Sequence, residues 1–383
     1  MSDTLHTPVL AECGSYDSEA VGNALKRALI DTGALDFVKP GMKIAIKLNL
    51  CAAKKPETAA TTHPVPVTEL VKLLRERGAC VIVGDSPGEP FTKPQLTHTY
   101  NTCGLKMCEE AGAELNFDTG FSEVDGGGVT LHSFAYCDWL AKCDCIINFC
   151  KLKAHGLMGM TAAAKNLYGV IPGTIKSEYH FLHRDPADFA NMLVDINEFV
   201  KPVLHIVDAV EVMEGNGPTQ GTPRHLGLII AGKNQYEIDR LCATILGLSE
   251  NEIPYLTAAK KRGLLSQAGT DAYRETAKPY VFEEFTRSGA TSSWFINDPK
   301  DPLVKKILKK GLYVLLRSKP VVTDSCTACG HCVKGCPADA ITIKNGKAYI
   351  KRSKCVRCFC CQEFCPTGAM RVKRSAIARL VEH

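Results

Sequence analysis

Two copies of one cysteine spacing near the end of the chain constrain this sequence more than any other feature. Both copies read Cys-x2-Cys-x2-Cys-x3-Cys-Pro, and the second begins 29 residues after the first. The eight cysteines are Cys326, Cys329, Cys332 and Cys336 in the first copy and Cys355, Cys358, Cys361 and Cys365 in the second. Because the chain has 19 cysteines, an odd number, and no sign of export, disulfides explain them poorly. Thiols spaced this closely indicate metal binding.

The spacing is typical of bacterial two-cluster ferredoxins, in which the last cysteine of each copy completes the cluster of the other copy. It predicts two [4Fe–4S] clusters in a C-terminal α+β ferredoxin-like domain over residues 320–375. The predicted ligands are Cys326, Cys329, Cys332 and Cys365 for one cluster and Cys355, Cys358, Cys361 and Cys336 for the other. A zinc ribbon, the alternative, leaves the third cysteine of each copy unexplained. Cys360 is surplus, and we expect it to be a packing residue.

Charge is divided unevenly along the chain. Residues 300–383 carry 18 Lys and Arg against 5 Asp and Glu, a net charge of +13, whereas the first 299 residues carry −8. A basic tail often binds nucleic acid, but the sequence contains no nucleic-acid-reading motif, so we expect none. Lys and Arg near anionic clusters instead stabilise the reduced state and attract acidic proteins. We therefore expect a redox partner protein, such as a ferredoxin, a flavodoxin or a reductase.

Residues 1–250 alternate between apolar runs and segments of helical period. The predicted strands are 43–50, 80–86, 145–152, 203–210 and 226–231, and the predicted helices are 18–30, 67–77, 189–200 and 236–246. Near-continuous apolar strands separated by helices indicate an α/β domain with a mainly parallel sheet and flanking helices. The Gly-rich segment 125–128 predicts a turn between two short antiparallel strands.

Residues 251–319 are less periodic, and we interpret them as an irregular, partly helical connector. Within it, residues 302–316 predict a basic amphipathic helix, which either lies on a membrane surface or, as we favour, docks on the rest of the protein. No apolar run reaches the length of about 18 residues that spans a bilayer. The first residues lack a signal-peptide pattern, so we expect a cytoplasmic protein with no transmembrane segment.

Polar side chains gather directly after the predicted strands, where the ligand crevice of an open parallel sheet lies. These residues are Lys47, Asn49, Asp85, Ser86, Lys151, Lys153, His155, Asp208 and Glu211. Lys165, Asn166 and Lys176 follow on Gly- and Ala-rich chain, where a ligand can approach the backbone closely. Taken singly, each lysine is explained as well by a solvated surface. As a set they predict an anionic small-molecule ligand: a carboxylate, a phosphate or a nucleotide.

Six short motifs follow one another through this region. They are Lys47-Leu-Asn49, Thr62-His-Pro64, Gly84-Asp-Ser-Pro-Gly88, Lys151-Leu-Lys-Ala-His155, Lys165-Asn-Leu-Tyr-Gly169 and Glu214-Gly-Asn-Gly-Pro218-x2-Gly221. Together they resemble the bacterial and archaeal family called domain of unknown function 362, over roughly residues 8–250. The resemblance implies an α/β fold and, since members of the family often carry a ferredoxin module, an association with iron–sulfur clusters. It implies no substrate.

Other motifs are less specific. Residues 214–218 resemble a dinucleotide-binding loop, but a proline and a strand follow where a helix should begin, and no P-loop motif is present. His180 and His183 can share one helical face, as a metal pair or as plain polar surface. Cys51 and Cys150 lie at strand ends beside the lysines. A redox-active thiol or a third metal centre there is the less favoured alternative to packing.

Our leading hypothesis is an iron–sulfur oxidoreductase from an anaerobic host, in which two clusters pass electrons to an anionic substrate or cofactor at the strand ends. The residues predicted to bind this ligand are Lys47, Asn49, Ser86, Lys151, Lys153, Lys165 and Asn166. The predicted catalytic residues are the proton donors His155 and His63, and Asp85 and Asp208, which would position a polar group or a metal. The alternatives are a non-catalytic electron-transfer subunit and a metal-cofactor maturation factor.

Overall fold

The computed structural model describes residues 7–266, 273–288 and 318–373. The predicted basic helix 302–316 lies outside these ranges, and the predicted division of the chain near residues 250 and 319 stays a prediction. Within the described ranges, no helix combines the length and the apolar character that crossing a membrane requires.

The strands of the described residues are numbered in chain order. They are β1 Val9–Glu12, β2 Lys43–Lys47, β3 Cys80–Gly84, β4 Glu114–Leu115, β5 Phe121–Asp125, β6 Ser133–Cys137, β7 Cys145–His155, β8 Gly159–Thr161, β9 Leu204–Glu214, β10 Thr222–Gly232, β11 Lys319–Val322, β12 Ile341–Lys344, β13 Lys347–Ile350 and β14 Met370–Lys373.

The α-helices are numbered in the same way. They are α1 Ser18–Leu25, α2 Pro64–Glu76, α3 Lys93–Thr102, α4 Lys106–Glu110, α5 Asp138–Ala141, α6 Ala163–Asn166, α7 Ile175–Leu182, α8 Pro186–Val200, α9 Gln235–Ile245, α10 Pro254–Lys261, α11 Arg274–Ala277, α12 His331–Lys334 and α13 Cys360–Glu363. A π-helical turn, Lys26–Ile30, extends α1, and short 3-10 turns cover Pro56–Thr58, Leu167–Val170, Glu250–Glu252 and Lys278–Tyr280.

One sheet dominates the α/β region, with strand order β1-β10-β9-β7-β2-β3-β4 and β8 paired to β7. The pairs β9–β7, β7–β2, β2–β3 and β3–β4 are parallel, whereas β10 and β1 add an antiparallel edge. The predicted α/β class with a mainly parallel sheet is thereby confirmed. Because β2, β3 and β7 are parallel neighbours, their carboxyl ends meet at one edge of the sheet.

Helices cover both faces of this sheet. Along β2, Ile44 and Ile46 pack into the core beneath α1 and α2, whereas Ala45 faces the core beneath α8 and α9. This alternation is what a strand buried on both faces requires. β5 and β6 form a separate antiparallel ribbon, as the Gly-rich segment 125–128 predicts.

The two cysteine copies fold alike in the C-terminal region. β11 pairs with β14 and β12 with β13, all antiparallel. Each copy forms a one-turn helix that carries its third cysteine, Cys332 in α12 and Cys361 in α13. Each helix follows a residue in the left-handed conformation, Gly330 at φ 80° and Phe359 at φ 62°. The internal repeat of the sequence is therefore also a structural repeat.

Candidate functional site

A cavity lies at the carboxyl ends of β2, β3 and β7, the edge at which open α/β sheets bind ligands. It encloses about 610 Å³ of space, including its open mouth. The predicted site residues in its lining are Lys47, Asn49, Asp85, Ser86, Lys153, His155, Lys165 and Asn166. Helix α7 adds Ser177 and His180, and α13 of the ferredoxin-like region adds Cys360 and Glu363. We call this space the cationic cavity.

Lys47 and Asp85 form a buried ion pair in the wall of this cavity. Lys47 Nζ lies 2.8 Å from Asp85 Oδ1 and also donates to Leu48 O at 2.8 Å and to Asn166 Oδ1 at 3.2 Å. A side chain at Gly169 would collide with the Lys47 ammonium. Since the charges of the pair cancel, Lys47 holds neighbouring side chains in place and adds little net charge to the cavity.

Two further lysines of the lining have protein partners of a different kind. Lys176 Nζ donates to Ser86 O at 2.8 Å and to Ser86 Oγ at 3.1 Å, and burial lowers the pKa of Lys176 to about 7. Lys153 Nζ donates to Ala60 O and lies 3.2 Å from Cys51 Sγ. Neither ammonium faces a carboxylate at ion-pair distance within the described residues. Lys153 and, below its pKa, Lys176 therefore add positive charge to the cavity.

The ammonium of Lys165 contacts aromatic rings. Its Nζ lies 4.4 Å from the ring centroid of Tyr168 and 5.6 Å from that of Phe189, and no described residue offers it a hydrogen bond or an ion pair. Burial lowers the pKa of Lys165 to about 8, and the positive charges of nearby lysines act in the same direction, against the attraction of Glu363. Lys165 is therefore a cation that a bound anion would stabilise.

The short helix α6 places Lys165 and Asn166 at the cavity. The carboxylate of Asp239 accepts from Ala163 N at 2.7 Å and from Ala164 N at 3.0 Å, which satisfies the first N–H groups of this helix. The connection from β8 into α6 is thus fixed by α9, the helix that carries Asp239.

His155 presents an N–H group of fixed orientation. Its Nδ1 accepts from Leu157 N at 3.0 Å and from Met158 N at 3.2 Å, so the ring hydrogen resides on Nε2. Nε2 lies 3.7 Å from Glu363 Oε1, across the boundary with the ferredoxin-like region. Burial lowers the pKa of His155 well below its usual range, which keeps the ring neutral. The imidazole is therefore a hydrogen-bond donor toward the cavity.

Three buried polar atoms of the lining have no hydrogen-bond partner among the described residues: Asn49 Oδ1, Ser177 Oγ and His180 Nδ1. Their residues are 7%, 5% and 6% exposed. A buried polar atom without a partner costs about 1–3 kcal/mol, so such atoms in a cavity lining indicate that a polar ligand or water binds there.

Three predicted site residues lie elsewhere. Asp208 accepts from Lys151 Nζ at 2.9 Å, from Tyr16 Oη at 2.9 Å and from His63 N at 2.9 Å. The His63 ring stacks on Tyr16 with 3.6 Å between centroids and accepts from Val65 N at the start of α2. Lys151, Asp208 and His63 thus form a closed cluster, which ties the N-terminal segment to β7 and β9, apart from the cationic cavity.

The two cysteines and the two histidines that the sequence suggested as possible pairs lie in different places. Cys51 lines the cationic cavity, whereas Cys150 is buried in the core with its thiol 3.4 Å from Ile206 O. His180 lines the cavity, while His183 Nδ1 lies 2.8 Å from Asp188 Oδ2. Neither pair of residues therefore shares one site.

The eight repeat cysteines surround two small cavities. The first cysteine set is Cys326, Cys329, Cys332 and Cys365, and the second cysteine set is Cys336, Cys355, Cys358 and Cys361. Each set contains one cysteine of the other copy, as the spacing predicts. Ala348 N donates to Cys326 Sγ at 3.4 Å and Ala340 N to Cys336 Sγ at 3.3 Å. Four thiols with amide donors around an open space fit a cubane cluster.

We also searched the described residues for sites that could hold one metal ion. Within residues 7–266, 273–288 and 318–373, no group of three or more His, Cys, Asp or Glu side chains is arranged to hold one metal ion. The exchange of one cysteine between the two copies is the feature that indicates clusters.

Residues 214–221 bind the ferredoxin-like region. Gln362 Nε2, on α13, donates to Asn216 O at 3.0 Å and to Asn216 Oδ1 at 2.9 Å. Gln220 Nε2 donates back to Gln362 O at 2.6 Å. Phe364 packs so closely on Gly88 that a Cβ there would lie 2.7 Å from the ring. Gly88 therefore allows the ferredoxin-like region to pack closely on the α/β region. We call residues 214–221 the docking loop.

Sequence reasoning missed four residues of the cavity lining: Thr161, Ser177, Glu363 and Phe364. Ser177 gave no signal, because a serine in an amphipathic helix is ordinary. Glu363 did give one, since it is the acidic residue among the cysteines of the second copy in a strongly basic region. A carboxyl group in that position indicates a partner charge from another part of the fold, here Lys165 and Lys153.

Comparison with solved structures gives matches of low similarity. The lactate racemase apoprotein from Thermoanaerobacterium thermosaccharolyticum is 12% identical with a TM-score of 0.43, and the match covers 65% of this chain and 59% of that chain. A structural-genomics protein from Thermotoga maritima is 14% identical with a TM-score of 0.39, covering 61% and 60%. Both matches span less than two thirds of the solved chain.

Comparison of sequences gives stronger matches than comparison of structures. A thylakoid-associated protein of Synechocystis sp. is 32% identical over 257 residues, which cover 65% of this chain and 77% of that protein. The model of a 4Fe-4S dicluster domain matches residues 320–366, and the model of the domain of unknown function (DUF362) matches residues 44–244. The C-terminal region is therefore a 4Fe-4S cluster-binding domain, and the chain belongs to the family of the domain of unknown function DUF362.

Proposed function

We propose that this protein is an iron–sulfur reductase that binds a small anionic substrate or cofactor in the cationic cavity. When bound by the two cysteine sets, a pair of [4Fe–4S] clusters would supply single electrons beside that cavity. One observation carries this proposal: Cys360 borders both the cavity of the second cysteine set and the cationic cavity. Electron supply and anion binding would therefore take place on the two sides of one wall.

The charges of the lining support an anionic ligand. The charge of Lys47 is balanced by Asp85. Among the described residues of the lining, Lys153 and Lys165 are opposed by a single further carboxylate, Glu363. Buried charges attract a ligand more strongly than exposed charges do, because the effective dielectric constant is lower. Lys165 is the residue proposed to contact the anion directly.

Neutral groups would orient the ligand and stabilise charge that develops on it. The Nε2–H of His155 is aimed by two backbone hydrogen bonds to Nδ1, so it can donate to an oxygen atom that gains negative charge during reduction. The unpartnered atoms of Asn49 and Ser177 would hold polar groups of the ligand. Tyr168 and Phe364 give the cavity apolar walls that limit water.

The test is reoxidation of anaerobic, dithionite-reduced protein, freed of excess dithionite, by a panel of small anions that contain a reducible group. The panel holds 2-oxo carboxylates, α,β-unsaturated carboxylates and phosphate esters that carry a carbonyl group, and reoxidation is monitored by the iron–sulfur absorption. We expect at least one anion to reoxidise the protein with saturable kinetics. Lys165→Met should lower kcat/KM by about ten- to hundredfold, the effect of losing one charged contact. Lys106→Met, at an exposed position of α4, is the matched control and should behave as wild type.

Equal kcat/KM values for Lys165→Met and Lys106→Met would contradict this function. Tight co-purification with one enzyme, without reactivity toward any anion of the panel, would favour the electron-transfer subunit instead.

A further inference from the structure

The two cysteine sets differ in what faces them. In the first set Cys329 is exposed, and its neighbour His331, also exposed, places Nδ1 3.3 Å from the Cys329 sulfur. In the second set no cysteine is exposed, and this set lies against the wall of the cationic cavity. A protein approaching from solvent therefore meets the first set.

The β12–β13 hairpin forms the surface beside the first set. Ile343 and Ala348 line the cavity of this set. Lys344 follows Ile343, and Lys347 precedes Ala348. The two lysines are a cross-strand pair at the end of the hairpin, and both are exposed. Because side chains alternate along a strand, Lys344, Lys347 and Tyr349 lie on the side of the hairpin opposite Ile343 and Ala348. These three residues are exposed, and we call them the hairpin face.

The hairpin face combines basic groups with one aromatic ring. Tyr349 is 51% exposed, and Ile343, on the side of the hairpin that faces the first set, is 41% exposed. Lys344 Nζ lies 4.6 Å from the ring centroid of Tyr349. Lys347 pairs with Asp324, and since both side chains are exposed, solvent screens this pair. Tyrosine is enriched at protein interfaces.

The positive charge of the molecule is concentrated around this surface. Residues 318–373 carry 10 Lys and Arg against 3 Asp and Glu, whereas residues 1–299 have a net charge of −8. Lys351, Arg352 and Lys354 follow β13 and are also exposed. Such a field accelerates encounters with acidic proteins and orients them toward the basic end.

We propose that the hairpin face beside Cys329 is the docking surface for an acidic one-electron carrier protein of the flavodoxin or ferredoxin type. The direction of electron flow rests on the proposed function. Each transfer oxidises the carrier by one electron and reduces the protein by one electron, and no bond is made or broken. Charge alone would also attract an anionic membrane, but an exposed cysteine edge favours a redox protein, because a lipid surface exchanges no electrons.

The experiment uses the full-length, cluster-loaded protein and an acidic flavodoxin as the probe, reduced to its hydroquinone. Lys344→Glu/Lys347→Glu is compared with the matched double variant Lys72→Glu/Lys106→Glu, which makes the same change in charge at exposed positions of α2 and α4. Flavodoxin oxidation is followed by stopped-flow absorption at low and high salt, and binding of oxidised flavodoxin is measured by calorimetry.

We expect the hairpin variant to lower the second-order rate constant at low salt by about tenfold or more and to weaken binding, with a smaller difference at high salt. The α2/α4 variant should keep the wild-type values. Equal rate constants for the hairpin variant and the α2/α4 variant would contradict the proposed docking surface. Binding of the wild-type protein to anionic phosphatidylserine vesicles but not to flavodoxin would also contradict it. Dithionite reduces the clusters without docking, so anion reduction driven by dithionite tests the proposed function separately.

Discussion

At the scale of single residues, the lysines of the cationic cavity differ in what their ammonium groups contact. Lys47 faces the carboxylate of Asp85, and Lys176 is surrounded by oxygen atoms of Ser86, whereas Lys165 lies over the ring of Tyr168. A buried ammonium without an anionic partner is disfavoured in its charged form, which is why its pKa falls. The pKa falls further for Lys176 than for Lys165, but the Lys176 ammonium already has oxygen partners. Lys165 has none among the described residues and is therefore the ammonium most open to hydrogen bonds from a bound anion.

The lowered pKa of Lys165 makes anion affinity depend on pH. Because this pKa is about 8, Lys165 is charged below that pH and loses its charge as the pH rises through it. We expect the affinity for sulfate, which does not titrate in this range, to fall by up to about tenfold per pH unit above pH 8. Calorimetric titration of wild type and Lys165→Met checks this, and the variant should bind weakly without that decrease. A decrease that begins near pH 7 and persists in the variant would assign the effect to Lys176.

Asp208 has a structural role in the cluster with Lys151, Tyr16 and His63. Asp208→Asn leaves the Lys151 ammonium buried without an opposing charge, so we expect the free energy of unfolding to fall by about 3–5 kcal/mol. Sulfate affinity should stay within about twofold of wild type, since Asp208 does not line the cationic cavity. Denaturant unfolding and sulfate titration check the two parts, with Asp188→Asn at the surface as control. A folded Asp208→Asn variant that no longer binds sulfate would contradict the structural role and show that Asp208 takes part in anion binding.

At the scale of the elements, β7 shows what the sequence can and cannot predict. The apolar run and the polar residues after it correctly indicate a strand whose end borders a crevice. Lys151 and Lys153 have the same parity, so a regular strand would place both side chains on one face. The pairing of β7 with β9 is irregular between these residues, with Lys151 opposite Asp208 and Lys153 opposite Met213. Cys150 and Leu152 pack beneath α8 and α9, so both lysines do lie on the opposite face. The irregular pairing places a carboxylate opposite Lys151 and an apolar side chain opposite Lys153, and no local sequence feature indicates this difference.

The helix α13 is the element that joins the cysteine repeat to the cavity, and Gln362 fixes it to the docking loop. Gln362→Ala removes both hydrogen bonds to Asn216, with a loss of about 1–3 kcal/mol in docking. We expect faster amide hydrogen exchange in residues 215–221 and 360–364, with the iron content unchanged. Mass spectrometry of the exchanged protein checks this. Gln95→Ala, which removes a side-chain amide bonded to Glu89, is the control, and equal exchange in the two variants would contradict the role of Gln362.

At the scale of the whole molecule, the cysteine sets follow from spacing alone, whereas the closure of the cavity by α13 does not. The repeat predicts which cysteines meet because each copy folds locally and the two copies are adjacent in sequence. The contacts of α13 with the docking loop join residues more than 140 positions apart, between Gln362 and Asn216. Docking of two regions depends on their complete surfaces, so Glu363 and Phe364 could not be placed beside Lys165 from the sequence.

The central claim is that a pair of [4Fe–4S] clusters lies beside a cavity that binds anions. The most direct measurement is iron quantification on anaerobically purified protein, combined with EPR of the dithionite-reduced sample with and without saturating sulfate. The account predicts about eight irons per chain, two coupled spins, and a spectrum that changes when sulfate binds in wild type but not in Lys165→Met. Zinc in place of iron, or a spectrum that is insensitive to bound sulfate in wild type, would contradict it.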